Sequence, residues 1–377
     1  MNKKLMAVAV GAALAAPMTA FSAVELSGRV NAGIGQWSAT GATAGATADY
    51  KSRLRVWDSG SKFTVKASED LGGGLSTEAY IETGLNVDTG TANGQGGANS
   101  STGPFGSRQA WVGLSGNFGK VTFGRQNTWY GSGNQDLTQA VYLDAGIQFA
   151  TGVFANGPGV NRLSDSFRYT SPQLGPVNVL VTYSTNNAEG APAGADADGK
   201  ILAVTVEGNQ GPASFGFDNV SNQANSTAGV AGAKRGANKL RGGFSYQPGA
   251  RISLIYVMTT TTPAGGGAET KQNAMQISWE HAMGNIGLHA GYGKLSNLST
   301  GGTDVAKTGT TAMQLGVRFI QSKSTWAYVN YVAYTNDTNA RTDFNAGGMS
   351  SAGAGGLPAG SVGADPKSLA FGISHNF

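Results

Sequence analysis

The sequence predicts an all-β chain: a 16-stranded antiparallel transmembrane β-barrel with short periplasmic turns, long extracellular loops and an inward-folded third loop. Three observations lead there. Sixteen short segments alternate in polarity, most of them near the roughly 9–11 residues a tilted spanning strand needs. The gaps between them alternate between short turns and long polar stretches. One gap, from Thr128 to Ser164, carries far more apolar surface than the rest.

The chain opens with Lys3 and Lys4, a short apolar run over Leu5–Ala16, then Pro17 and small residues up to Ser22 and Ala23. This is the pattern of a secretory leader, too short to span a bilayer as a mature helix. The expected division is residues 1–23 as signal peptide and 24–377 as a single barrel domain. Losing Lys3 and Lys4 lowers the formal net charge from +4 to about +2. That balance, with no basic block, excludes a nucleic-acid footprint. Cysteine is absent, which removes disulfides, thiolate chemistry and Cys-based zinc sites. Glycine is abundant at 59 residues, but without the three-residue period of collagen.

The expected strands run near 24–38, 51–67, 75–87, 108–114, 120–127, 165–171, 177–185 and 200–207. The second half continues near 212–219, 238–246, 251–260, 272–281, 286–294, 311–320, 325–334 and 368–377. Tight turns such as Asp70–Gly74, Ser115–Gly119, Gln247–Ala250 and Gln321–Ser324 join them on one side. Long polar segments join them on the other, the arrangement of an even-stranded barrel in an outer membrane. In the first strand Val24, Leu26, Val30 and Ile34 share one face, with Glu25, Ser27, Arg29 and Asn31 on the other. Lys62, Thr64, Lys66 and Ser68 likewise oppose Phe63, Val65 and Ala67. An apolar outside around a polar inside is stable only where lipid covers the exterior, and aromatics near strand ends, such as Trp279 and Trp326, suit interfacial girdles.

The 128–164 segment holds Trp129, Tyr130, Leu137, Tyr142, Ile147, Phe149 and Phe154, too much apolar surface to remain in water. The free inner wall is the available place for it, where it narrows the hole. No other loop looks apolar enough to fold in. Sixteen strands enclose a lumen too wide for wall side chains to fill, which favours a channel over a surface-displayed structural or adhesive barrel, the alternative suggested by the Gly/Ala/Ser/Thr-rich loops.

Catalytic readings find little support. His281 and His289 lie across a turn and could approach, but no acid and serine complete a triad, and structural roles are preferred. Asp196 and Asp198 resemble the start of a calcium loop that lacks its later ligands. No enzyme activity, metal or cofactor is implied.

Several stretches carry a resemblance: VELSGRVNAGIG at 24–35, SKFTVKASEDLGGGLSTEAYIETGLN at 61–86, RQAWVGLSGNFGKVTFGRQ at 108–126, DSFRYTSPQLG at 165–175 and the terminal FGISHNF. Together they make the chain resemble the trimeric general diffusion porins of Gram-negative bacteria, of beta-proteobacterial type. The resemblance implies passive passage of small hydrophilic solutes and ions and a homotrimer seated in outer-membrane lipid and lipopolysaccharide. It also implies insertion by the outer-membrane assembly machinery, with Phe377 as the signal. In that family the third loop sets acids against a ladder of bases on the wall. Position by position, the ladder here is Arg29, Lys62, Arg108 and Arg168. Arg29 and Lys62 fall on the polar faces described above, whereas Arg108 has no clear facing, because both faces of Gln109–Leu114 are partly apolar. The loop acids are Asp136 and Asp144, and the absence of the family's acid–Phe–Gly turn leaves both as candidates. Two acids against this ladder imply weak anion preference.

Arg125 shares parity with Val121 and Phe123 and so points outward, where an arginine at mid-depth in lipid costs about 2–4 kcal/mol. A subunit interface removes that cost, and the resemblance implies a trimer contact there, reached by a neighbour's second loop. The 88–107 loop offers Asp88 as its acid.

Overall fold

The computed structural model describes residues 23–58, 60–88, 91–93, 105–128, 162–185, 199–227, 230–344, 357 and 360–377. They form one closed antiparallel sheet. In chain order the strands are β1 (Ala23–Thr40), β2 (Tyr50–Asp58), β3 (Lys62–Gly72), β4 (Leu75–Asn86), β5 (Thr91–Asn93), β6 (Gln109–Gly116), β7 (Gly119–Asn127), β8 (Arg162–Thr170), β9 (Val177–Ser184) and β10 (Lys200–Gln210). They continue as β11 (Ala213–Gln223), β12 (Lys234–Gln247), β13 (Ala250–Thr262), β14 (Thr270–Met283), β15 (Ile286–Leu295), β16 (Leu298–Thr300), β17 (Thr303–Val305), β18 (Thr310–Ile320), β19 (Thr325–Asn336) and β20 (Asp365–Asn376).

Sixteen barrel staves follow from these. β1 pairs β2 through its upper half and β3 through its lower half, so β2 and β3 together make one stave, interrupted between Asp58 and Lys62. β5, β16 and β17 are short pieces within the long-loop side. The second expected strand is therefore interrupted, and the 88–107 and 295–310 loops contain strand pairing that their composition hides. The leader and the segment 129–161 lie outside the described residues, as does the expected inward fold of the third loop.

Parity sets inside and outside. Along β2, Leu54 is 71% exposed while Trp57 is 3% exposed. Outward residues such as Val24, Phe123, Ile277 and Phe371 form an exposed apolar skin, and inward Asp218, Gln276, Gln314 and Ser374 are buried. A soluble fold would reverse this arrangement. Closing the sheet leaves no free edge, which lipid would otherwise penalise through unpaired N–H and C=O groups.

Closure is made where β20 meets β1, from Arg29 opposite Asn376 to Thr40 opposite Asp365. The last residue extends it: the Gly28 N–H donates to the Phe377 carbonyl at 2.9 Å and the Phe377 N–H returns to Gly28 at 3.1 Å. Behind the seam, Tyr328 of β19 lies flat across β20, fully buried, and its hydroxyl donates to Asn31 Oδ1 of β1 at 2.7 Å. Gly372 makes room for it, since a Cβ there would stand 2.3 Å from the Tyr328 oxygen.

The last loop overturns one expectation. Phe344 and Leu357 are buried, Phe344 meeting Trp37 at 5.0 Å and Tyr334 at 5.4 Å, both edge-on, on the lumen side. Two apolar residues in a Gly/Ala/Ser background are enough to bring these parts of the last loop against the inner wall, against the expectation that no loop but the third is apolar enough to fold in.

Gly372→Ala should displace Tyr328 from Asn31 and destabilise the barrel by about 1–3 kcal/mol, as overpacking does. The check is the temperature at which folded protein loses its heat-modifiable gel mobility. It should fall in Gly372→Ala and recover in part when Tyr328→Leu is added.

Candidate functional site

The interruption between β2 and β3, at Gly60 and Ser61, shapes the site. Gly60 has φ 67°, a conformation glycine adopts without strain. Its carbonyl is turned to accept Arg29 Nη2 at 3.0 Å, and Ser61 Oγ accepts the Asn31 N–H at 2.9 Å. Such an interruption re-aims side chains beside it. Below the break, register places Arg29 opposite Lys62, and Thr64 opposite Glu82.

Glu82 is the hub. It is 1% exposed and takes Lys62 Nζ on Oε2 at 2.6 Å, Arg108 Nε on Oε1 at 2.8 Å and the Tyr80 hydroxyl on Oε2 at 3.1 Å. Charge-assisted bonds of this kind fix both cations in place. Arg108, whose facing parity left open, thus enters the lumen cluster. Its own N–H donates to the Glu82 carbonyl, so it leads into β6 from the same point. Three bases against one carboxylate leave the patch net positive.

The other expected wall base, Arg168, sits on β8 between Thr122 and Thr182. It donates from Nε to Thr182 Oγ1 at 2.9 Å and from Nη2 to the Asn127 carbonyl. It faces the lumen but stands apart from the Glu82 cluster. Asp136 and Asp144 lie outside the described residues.

Sequence reasoning missed Glu82 and Tyr80, and also Arg53 and Arg55, which face inward opposite Trp37 and Gly35. The signal was present: Glu78, Tyr80 and Glu82 alternate with Ala79 and Ile81, and Arg53, Arg55 and Trp57 alternate with Leu54 and Val56. On the far wall, charge is paired more evenly. Arg241 reaches Asp218 at 2.7 Å and Glu207 at 3.3 Å, and Arg318 reaches Glu280 at 2.6 Å.

Arg125 lies opposite outward-facing Ala110 and is half-buried. Nε donates to the Ser107 carbonyl at 3.1 Å and Nη1 to Ser164 Oγ at 2.7 Å. Nη2 is buried with no partner among the described residues. His281 and His289 do not meet as a pair: His289 faces inward opposite Glu280, while His281 bonds Tyr246 on the outer face at 2.8 Å.

A family model described as Gram-negative porin matches residues 7–339. The chain belongs to that family. Among its relatives, the major outer membrane protein P.IB of Neisseria meningitidis serogroup B is 28% identical over 196 residues, 50% of this chain and 51% of that protein. The chain thus spans about half the length of the curated relatives it matches first. Two solved structures share the fold. An anion-selective porin from Comamonas acidovorans gives a TM-score of 0.73 at 22% identity, covering 95% of this chain and all of that one. The trimer form of OmpT from Vibrio cholerae gives 0.65 at 14% identity, covering 94% and 99%. Membership in this family places the chain in the outer membrane.

Glu82→Gln keeps the shape of the hub and removes its charge, leaving Lys62 and Arg108 uncompensated. The zero-current potential across a bilayer in a KCl gradient should move toward anions relative to the parent chain. An unchanged potential would show that Glu82 does not face the ion path.

Proposed function

We propose that this porin forms an open aqueous channel for passive diffusion of small hydrophilic solutes and ions, with weak anion preference. The observation that carries the reading is the net positive patch of Arg29, Lys62, Arg108 and Glu82 on the lumen wall, with Arg168 farther round. In a narrow water-filled passage bounded by protein, fixed charge of one sign raises the local concentration of its counter-ion. The printed description of the Comamonas neighbour as anion-selective is in keeping with this. Asp136 and Asp144 supply the opposing charge from the third loop, so that a transverse field orients dipolar solutes. No catalytic step belongs to this reading.

The same reading makes the functional unit a homotrimer. An outward arginine with one buried, unpartnered nitrogen is costly in a lone barrel and is relieved by an acceptor on a second copy. Arg125 is accordingly assigned to the subunit contact. Phe377, with its main chain in the closing seam and its side chain 56% exposed, serves as the assembly signal. Lipopolysaccharide surrounds the outer rim.

Two measurements test this. Purified protein in a planar bilayer should insert with three equal current steps and a small anion-directed reversal potential. A cation-directed potential would overturn the charge assignment, and silence from folded, heat-modifiable protein would overturn the channel. Separately, Arg125→Ala should lower the temperature at which trimers dissociate on unheated-sample gels. An unchanged trimer melting temperature would remove Arg125 from the interface.

A further inference from the structure

The outer face of the barrel carries a polar cluster that the channel does not use. It sits at the short-turn end of the apolar skin, next to outward Phe244, Ile252 and Ile277, all exposed. Trp279 stands opposite Ile252 and His281 opposite Ala250, so both share the outward face. Tyr246 is the extra residue of a bulge, because the register of β12 with β13 slips between Ser245 and Gln247. Its ring is thereby turned across β13, over small Ala250, to reach β14.

There the three rings lock together. Trp279 Nε1 donates to the Tyr246 hydroxyl oxygen at 2.8 Å, and that hydroxyl lies 2.8 Å from His281 Nδ1. The imidazole is stacked with Trp279 at 5.7 Å and 13° and with Tyr246 at 5.9 Å and 20°. An indole N–H only donates, so the Tyr246 oxygen receives it and gives its own hydrogen to Nδ1. Nδ1 is then the acceptor of the imidazole, and the ring hydrogen sits on Nε2. The polar handles of Trp279 and Tyr246, which in an interfacial belt usually meet the headgroups, are both engaged within the cluster. One ring donor is left over: the Nε2–H of half-buried His281, which has no partner among the described residues.

We propose that His281 binds the phosphate of a diacyl phospholipid in the periplasmic leaflet through its Nε2–H, with Tyr246 and Trp279 as positioning residues. The site is separate from the channel reading and rests only on the place of the chain in the outer membrane. Depth selects the ligand. The cluster lies beside the tight turns Gln247–Ala250 and Met283–Ile286, where the apolar skin ends and acyl chains give way to phosphodiesters. Lipopolysaccharide belongs to the opposite, long-loop end. An imidazole of fixed tautomer, stacked with two rings, offers its N–H without the side-chain ordering that a loose donor would undergo on binding. Phe244 and Ile252 beside it supply apolar surface for the acyl chains.

The test uses the full-length protein folded in detergent and titrated with dioleoyl phosphatidylglycerol. Dioleoylglycerol, with the same chains and no phosphate, is the reference, and native mass spectrometry counts the lipids retained per chain. His281→Phe keeps a ring for the stack and removes both nitrogens. It should raise the half-saturating phospholipid concentration roughly fivefold, which corresponds to about 1 kcal/mol of lost binding, and leave dioleoylglycerol retention unchanged. His281→Gln carries an N–H donor near the place of Nε2 and should recover part of the loss. Tyr246→Phe releases the tautomer and should lie between the parent chain and His281→Phe. Heat-modifiable mobility of each variant shows that it has folded. Equal phospholipid retention in the parent chain and His281→Phe overturns the site. A loss shared by dioleoylglycerol overturns it as well, because the ring is then an apolar belt residue with no hold on the phosphate.

Discussion

Closure of the sheet in a medium that cannot hydrogen-bond is the constraint from which the rest follows. Lipid leaves each N–H and C=O of a spanning strand dependent on its neighbour, so the sheet has to return to its first strand. It does so through β20 and β1, continued to the final residue by the reciprocal bonds of Gly28 and Phe377. Once closed, the two-residue period of a strand divides the chain into a lipid face and a lumen face. Each charged side chain along a spanning strand must then find water or a partner on the inside. Placing Arg29, Lys62 and Glu82 in the lumen therefore follows from the same physics that places Val30, Phe63 and Ile81 outside.

The exceptions to strict alternation are where the chemistry concentrates. At Gly60 and Ser61 the pairing with β1 is interrupted, freeing the Gly60 carbonyl to hold Arg29. Just before β6, Arg108 departs from parity and turns to Glu82. At Gly124–Gln126 the register with β8 slips, Asp165 takes a positive φ, and Arg125 is left outward between Ser107 and Ser164. Regular pairing builds the wall, and its interruptions aim the charges.

This explains what was legible in the sequence. Period-two alternation and alternating gap length are properties of the whole barrel, repeated sixteen times, so strand positions and facing were readable for Arg29, Lys62 and Arg125. Arg108 was not, because its direction depends on an irregularity that leaves no periodic trace. Glu82 was readable in part: its parity places it inward, but nothing in a linear chain shows that it lies between Lys62, twenty residues earlier, and Arg108, twenty-six residues later. Phe344 was lost for a different reason. One aromatic in a glycine-rich loop has little weight in composition, yet it fills the corner between Trp37 and Tyr334.

That corner links loop and wall in a way a list of wall charges would miss. Arg55 is oriented by Trp57, Trp57 by Trp37, and Trp37 by Phe344, a residue delivered from the far end of the chain. Seating the last loop therefore fixes the ring that carries Arg55, while lower on the wall Glu82 is tied to Lys62 and Arg108 by contacts between neighbouring strands and their lead-in. A loop packed on the wall thus shapes the lumen near its mouth, as interruptions of the pairing shape it lower down.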